Sequence, residues 1–394
     1  MGLTNDDSES SWPSTLRPET LDRISSEAPF LALDPTVITD RHRELTGLVP
    51  GLRLFYAVKC NSSEPVLLTV ADAGGGFEIA SAYELTQLAS LDLDLDQVLY
   101  SNPVKPPAHI QTAYHAGVDR FAFDSEPELR KIAALAPSAR VYVRLTVPDG
   151  GSLFPLSKKF GASVEQATRL LALARYLGLV PYGITFHVGS QCTNPESWRV
   201  ALSRCATVMR VLLGQGIKLE MVDLGGGFPA RYVDPVPPIG DIAAAIVDGV
   251  SRLPYVPRVL CAEPGRYLVA ESGVLATHVI GVEERDGEPW AYLDVGGYNG
   301  LMEPLQTGGH WHFPLATCGA QHWSAARRSF SLTGPSCDSS DTVFHDVSLP
   351  ETLSVGDRLY IGTAGAYTLS YASSFNGFPP PKPFVVESSP VPAG

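Results

Sequence analysis

The chain of 394 residues has no paired cysteine motif, no long apolar run and no surplus of basic residues. Each absence removes a class of function. The six cysteines (Cys60, Cys192, Cys205, Cys261, Cys318 and Cys337) are scattered, with no Cys-x-x-Cys among them. They read as reduced intracellular thiols, not as a disulfide framework or a zinc site. No apolar stretch reaches bilayer length. The polar start MGLTNDDSESSWPSTLRPET has neither the apolar core of a signal peptide nor the Ser/Thr of a myristoylation motif. With 29 Lys+Arg against 42 Asp+Glu the net charge is −13, which argues against nucleic acid and anionic membranes as partners, because both need a basic patch. The protein is therefore expected in the cytoplasm, with a small molecule as its partner and no metal.

What is present describes a well-packed globular chain, 44% hydrophobic and 18% charged, too long for one ordinary core. Residues 1–25 read as a flexible or loosely docked arm and 385–394 as a tail. In 26–50 the run APFLALD is expected to supply a strand to a distant sheet before a helix begins. From 51 to 275, eight strand candidates alternate with helical segments. They are Leu54–Lys59, Gly76–Ala80, Gln97–Ser101, Arg120–Asp124, Arg140–Leu145, Tyr182–His187, Leu219–Leu224 and Val259–Glu263. Intervening stretches such as EQATRLLALARYLG carry apolar residues at helical spacing. Eight such units predict an α/β fold, a (β/α)8 TIM-type barrel; a doubly wound sheet normally has fewer strands and a glycine-rich first turn. After about 275 the helices stop, and VLATHVIGVEE, PWAYLDVG, HWHFPLATCG, RSFSLTG and DRLYIGTAGAY predict a β-domain over 276–384.

Barrels of this kind place their active site at the C-terminal ends of the strands. Lys59, Glu78, Arg144, His187 and Glu263 all fall at or near strand ends, and Gly225-Gly226-Gly227 follows strand seven. Each has an ordinary reading as well. Lys59 after FYAV reads either as the first solvated residue or as a lysine that condenses with an aldehyde cofactor. His187 reads either as a satisfied core histidine or as a site residue. Glu263 ends a buried strand and needs a partner such as a protonated ring nitrogen. Arg266 reads as a surface charge or an anion ligand. Gly74–Gly76, between a helix and a strand, reads as a helix cap on the opposite rim, whereas the second triplet sits where bare N–H groups can cradle a phosphate. His310 and His312, alternating along an expected strand, read as structural. A lysine, a carboxylate and a glycine cradle together point to pyridoxal 5′-phosphate.

The stretches FYAVKCNSS, GFEIASAYEL, FDSEPEL, KKFGAS, FHVGSQC, DLGGGFP, AEPGRYLVA, GPSCDSSD and GAYTLSYASSFNGF run in order from about 30 to 380. This pattern resembles the fold-type-III pyridoxal-phosphate decarboxylases of the ornithine/lysine decarboxylase family, whose barrel is alanine-racemase-like. The resemblance implies that Lys59 holds the cofactor, that Glu263 pairs with its ring nitrogen and that His187 stacks on the ring. Ser190, Gly225 to Gly227, Arg266 and Tyr367 match the phosphate-binding set; Glu84 and Arg144 match supporting positions. Glu78 stands where ornithine decarboxylases usually have Asp. Cys337 matches the cysteine that returns a proton to the substrate carbon, and Asp338 the acid that meets the distal amine. Both would reach into a neighbouring subunit, which implies a head-to-tail homodimer with shared active sites. Phe375 falls in the substrate-contacting set. Where animal-type enzymes carry Tyr-Asp, this chain has Glu303-Pro304, so that Glu303 is a further candidate for the distal amine.

The expected reaction is decarboxylation of L-ornithine to putrescine in polyamine biosynthesis. L-Lysine or a modified diamino acid of secondary metabolism stands as the alternative. Diaminopimelate fits less well, because Cys337-Asp338-Ser339 departs from the Cys-Glu-Ser typical of that group. A catalytically dead regulator would be expected to have lost cofactor residues that this chain retains.

Overall fold

Residues 12, 15–26, 29–318, 320–322 and 325–386 are described by the computed structural model of the protein. The first strand, β1 (Phe30–Leu33), is buried along its whole length and leads into a helix over Pro35–Leu48, where Asp34 accepts from the Thr36 N–H as N-cap. The barrel then opens with β2 (Leu52–Ala57), β3 (Gly76–Ile79), β4 (Val98–Tyr100), β5 (Arg120–Phe123) and β6 (Arg140–Leu145). A short β7 (Ser152–Phe154) precedes β8 (Val180–Phe186), and β9 (Ser190–Cys192) returns to pair antiparallel with β7. The final barrel strands are β10 (Met221–Asp223) and β11 (Val259–Ala262). All eight expected strands close in parallel, in the order β2-β3-β4-β5-β6-β8-β10-β11 and back to β2.

Alternation of side chains decides what fills the barrel. Phe55, Leu99, Ala122, Tyr142, Tyr182, Met221 and Cys261 form one buried cluster inside the ring, while the opposite faces of the same strands meet the helices. The helix Val164–Tyr176 starts on a capping box in which Ser163 and Gln166 satisfy each other's backbone N–H. It buries Ala167, Leu170, Leu171 and Ala174.

The β-domain contains β12 (Gly273–Arg285), β13 (Glu288–Leu293), β14 (Leu315–Thr317), β15 (Arg327–Thr333), β16 (Thr342–Pro350), β17 (Arg358–Ile361) and β18 (Lys382–Val385). They run β14-β17-β12-β13-β15-β16, with β1 antiparallel on β12 and β18 parallel on β1. APFLALD thus joins the distant sheet, as its pattern predicts. Three expectations change. Only Leu315–Thr317 of HWHFPLATCG is a strand, so His310 and His312 precede it instead of alternating along it. Strands β16 and β18 were not foreseen, and β18 begins just before the expected tail. The described part of the arm is seated, with Leu16 and Leu21 buried against Phe30, Val274 and Tyr360. Residues 1–11 of the arm and 387–394 of the tail lie outside the described residues.

Candidate active site

Parallel closure brings the strand ends to one rim, and there the expected residues meet. Ala57 of β2 is in register with Glu78 of β3, so the turn after β2 carries Lys59 to the Glu78 carboxylate, and the two form an ion pair. Glu78 is almost wholly buried, whereas the Lys59 side chain is 46% accessible; the lysine stands on the floor of a bowl open to solvent. Burial presses the Lys59 pKa down, but Glu78, Glu263 and Glu84 outweigh it and the net shift is upward. Glu84 itself is held by the Ala80 N–H at 2.5 Å.

Glu263, at the end of β11, accepts from Ser101 Oγ, and Ser101 Oγ lies 2.7 Å from the Tyr142 hydroxyl. Burial raises the Glu263 pKa far above its ordinary value, and the neighbouring Asp223 and Glu78 raise it further. Asp223 is fully buried, with its own pKa raised by burial to about 6 and its Oδ2 without a partner. Such a cluster of carboxylates calls for a cationic or proton-bearing partner. His187 is kept neutral by burial and by the nearby charges of Arg144 and Lys59. Its Nδ1 accepts from the Gly189 N–H at 3.0 Å, which assigns the ring proton to Nε2.

The glycine triplet after β10 cannot carry side chains. A Cβ on Gly226 would lie 2.9 Å from the Glu263 carbonyl oxygen and 3.0 Å from His187 Nε2. On Gly225, at φ +60°, it would lie 1.8 Å from the Phe186 carbonyl oxygen. Gly225→Ala is therefore expected to destabilise the fold by about 2–4 kcal/mol, read as a lowered Tm; an unchanged Tm would refute the clash. The first triplet behaves as a helix end, with Gly74 at φ +84° and the Gly75 N–H on the Val70 carbonyl.

Arg266 is buried beside Ser190. Its Nη1 donates to the Tyr232 hydroxyl and Glu303 Oε2 (both 2.8 Å), and its Nη2 to Glu303 Oε1 (2.6 Å) and Ser190 Oγ (3.1 Å). Four of five guanidinium N–H groups are thus spent, and Nε is buried without a partner. Tyr367 presents its ring 5.0 Å from the guanidinium carbon. Its loop is stitched to the lysine turn, because the Tyr367 N–H donates to the Cys60 carbonyl (2.7 Å) and Asn61 Nδ2 to the Gly365 carbonyl (2.8 Å).

A second cluster sits on the β-domain. Cys337 is exposed, with its N–H 3.2 Å and its Sγ 3.4 Å from Asn376 Oδ1. Asp338 accepts from the Tyr298 hydroxyl (2.8 Å) and from the N–H and hydroxyl of Ser340 (2.9 Å each). These bonds hold its pKa low, Ser340 first and then Tyr298. Tyr298 packs against Phe375 with the rings tilted and their centroids 4.6 Å apart. Buried Asp341 shapes the turn by accepting from the Gly297 N–H and from Ser336. Among the described residues, no hydrogen bond or ion pair links this cluster to Lys59, Glu263 or Arg266.

The structure therefore brings Lys59, Glu78, Arg144, His187, Glu263 and the glycine cradle to one rim, while Cys337, Asp338 and Phe375 belong to a cluster on the β-domain with its own internal bonds. Glu303 joins neither as expected, since both of its oxygens are taken by Arg266. Sequence reading missed Ser101, Asp223, Tyr232, Tyr298, Asp341 and Asn376. Ser101 ends a strand, and Asp223 directly precedes the residue before the glycines, so the strand-end rule could have found both.

The bowl fits pyridoxal phosphate. Glu263 has the raised proton affinity to face a ring nitrogen, the glycine backbone and the Ser190 hydroxyl beside Arg266 suit a phosphate, and Lys59 suits an aldehyde. Residues 36–270 match the family described as pyridoxal-dependent decarboxylase, pyridoxal binding domain. A lysine/ornithine decarboxylase of Selenomonas ruminantium is 35% identical over 89% of this chain and 87% of its own. An ornithine decarboxylase of Schizosaccharomyces pombe is 35% identical over 84% and 77%. The crystal structure of lysine/ornithine decarboxylase from Vibrio vulnificus complexed with cadaverine superposes with a TM-score of 0.84 at 34% identity, over 93% of this chain and 96% of the other.

Proposed function

The chain belongs to the family of pyridoxal-phosphate-dependent ornithine and lysine decarboxylases, and from that premise we propose that it converts L-ornithine to putrescine and CO2. We place this reaction in polyamine biosynthesis in the cytoplasm, carried out by a head-to-tail homodimer. Asp338 carries the substrate reading: a short, ionised carboxylate beside Cys337 suits the distal ammonium of a basic amino acid. The family resemblance assigns Cys337 and Asp338 to the bowl of the partner subunit, which agrees with the lack of any hydrogen bond or ion pair from their cluster to Lys59 among the described residues.

Lys59 Nζ would hold the cofactor covalently, with Glu263 at the ring nitrogen, His187 against the ring, and Gly225 to Gly227, Ser190, Arg266 and Tyr367 around the phosphate. When bound, pyridoxal phosphate draws off the electron pair freed at the substrate carbon. Glu263 keeps a proton at the ring-nitrogen position, which its raised pKa favours. The His187 ring, neutral and pinned by Gly189, offers a flat face without adding positive charge. Arg144 adds positive charge beside the carboxylates Glu263, Asp223 and Glu78. Cys337 Sγ delivers a proton to Cα.

The Lys59–Glu78 pair carries a pH prediction. Lys59 must lose its proton to capture an aldehyde, and its raised pKa keeps the proton on to higher pH. Glu78→Gln removes the anion, so the pH profile of cofactor capture by cofactor-free protein should move to lower pH. The bound-cofactor absorbance reads this directly, and an unmoved profile would remove Glu78 from that role.

CO2 release from L-ornithine, L-lysine, L-arginine and meso-diaminopimelate, measured side by side, tests the substrate. Preference for ornithine is expected; silence on all four with cofactor bound overturns it. One observation favours a second reading, a lysine substrate: the Selenomonas ruminantium relative is named a lysine/ornithine decarboxylase. With Glu303 taken by Arg266, Asp338 is left as the one acid of the two candidates for the distal group.

A further inference from the structure

Glu303 lies 37 residues from Arg266 in sequence and meets it with both oxygens, at 2.8 and 2.6 Å, in a pair almost closed to solvent on both sides. The helix Met302–Gln306 presents it, beginning just after the Gly296–Leu301 turn. The guanidinium is otherwise surrounded by the rings of Phe154, Tyr232, Trp311 and Tyr367. Aromatic faces attract a cation but cannot neutralise it. Glu303 is the carboxylate that does, and it does so at the terminal nitrogens, the edge that would otherwise grip a phosphate through two parallel bonds.

We propose that Glu303 is a positioning residue for the cofactor phosphate: it neutralises Arg266, occupies both of its terminal nitrogens, and so limits how tightly the phosphate is held. The inference rests on the reading that Arg266 faces the phosphate. With the pair intact, the phosphate meets backbone N–H groups, hydroxyls and a guanidinium whose charge is already compensated. An anion added beside Glu303 also feels its repulsion, which is strong where water is excluded. Binding should then depend more on Lys59 and the ring contacts than in a cradle whose arginine has no internal partner. The same pair lets the cofactor-free chain bury Arg266 without an unpaired charge, so the fold does not require the phosphate.

The test compares pyridoxal phosphate with pyridoxal, which lacks the phosphate, by titrating cofactor-free wild-type protein and the isosteric Glu303→Gln variant and following the bound-cofactor absorbance. The ratio of the two affinities isolates the phosphate contribution, and a general loss of packing would not raise it. Glu303→Gln is expected to increase that ratio roughly ten-fold or more, and inorganic phosphate should compete with pyridoxal phosphate more effectively on the variant. An unchanged or lowered ratio overturns the proposal. If Glu303→Gln does not fold, Glu303→Asp keeps the charge but draws it back from the guanidinium; a smaller rise is then expected, and a flat ratio is again the refuting result. Failure of wild-type protein to distinguish the two ligands would instead overturn the assignment of Arg266 to the phosphate, and this inference with it.

Discussion

Lys59→Arg should lower CO2 release from L-ornithine by at least about 10⁴-fold while leaving the protein folded. Arginine is the informative replacement. Glu78 is buried, and Lys59→Ala would leave it without its cation, a change that costs about 3–5 kcal/mol where the pair is closed to solvent and less here, since Lys59 is partly open. Loss of activity in the alanine variant would then mix chemistry with stability. Arginine keeps a positive charge beside Glu78 but cannot shed its proton to act as a nucleophile. Both variants should fail to develop the bound-cofactor absorbance, and only the alanine variant should show a lowered Tm. Near-normal turnover by Lys59→Arg would remove Lys59 from the mechanism.

The second large effect concerns Cys337. Its thiol is exposed on the β-domain, bonded only to Asn376 among the residues described around it. If it serves the partner's bowl, Cys337→Ala should release part of its product as the aldehyde instead of putrescine, because the proton no longer reaches Cα and goes to the wrong carbon, so that the amino group and the electron pair stay with the cofactor, which would be left as pyridoxamine phosphate. Mixing supplies a sharper test. A Lys59→Arg subunit paired with a Cys337→Ala subunit rebuilds one intact site from the two undamaged surfaces. Random exchange of two such homodimers should restore roughly a quarter of the wild-type sites. No recovery after verified subunit exchange would place Cys337 and Lys59 in the same chain's site and overturn the shared arrangement.

Much of the barrel was legible because local rules and the closed fold agree. Apolar runs of strand length end in Lys59, Glu78, Arg144, His187 or Glu263, and a polar residue at a strand end can face only the rim. The β-domain was less legible. In β16 the alternation is broken at His345-Asp346, where Asp346 has φ +55° and the register with β15 slips. Strand β18 is an edge strand with exposed side chains and a proline, paired only to β1 at the other end of the chain. Glu303 was read from its place beside a substrate motif. Its actual partner is set by how a five-residue helix approaches a barrel loop, which no local pattern encodes. The same holds for Tyr298 and Asn376, whose use depends on a turn that Asp341 organises from within.

The bonds from Asn61 to Gly365 and from Tyr367 to Cys60 bear on how the protein is made. The Asn61–Gly365 bond spans 304 residues. On a translating ribosome the turn bearing Lys59 emerges long before Gly365 and Tyr367, the residues that anchor it. The barrel strands can all pair before then, leaving a nascent ring whose lysine is not yet held in place. Anchoring of the lysine turn thus waits for residues 365 to 367, and a message truncated after β11 would yield a barrel whose lysine turn lacks both bonds.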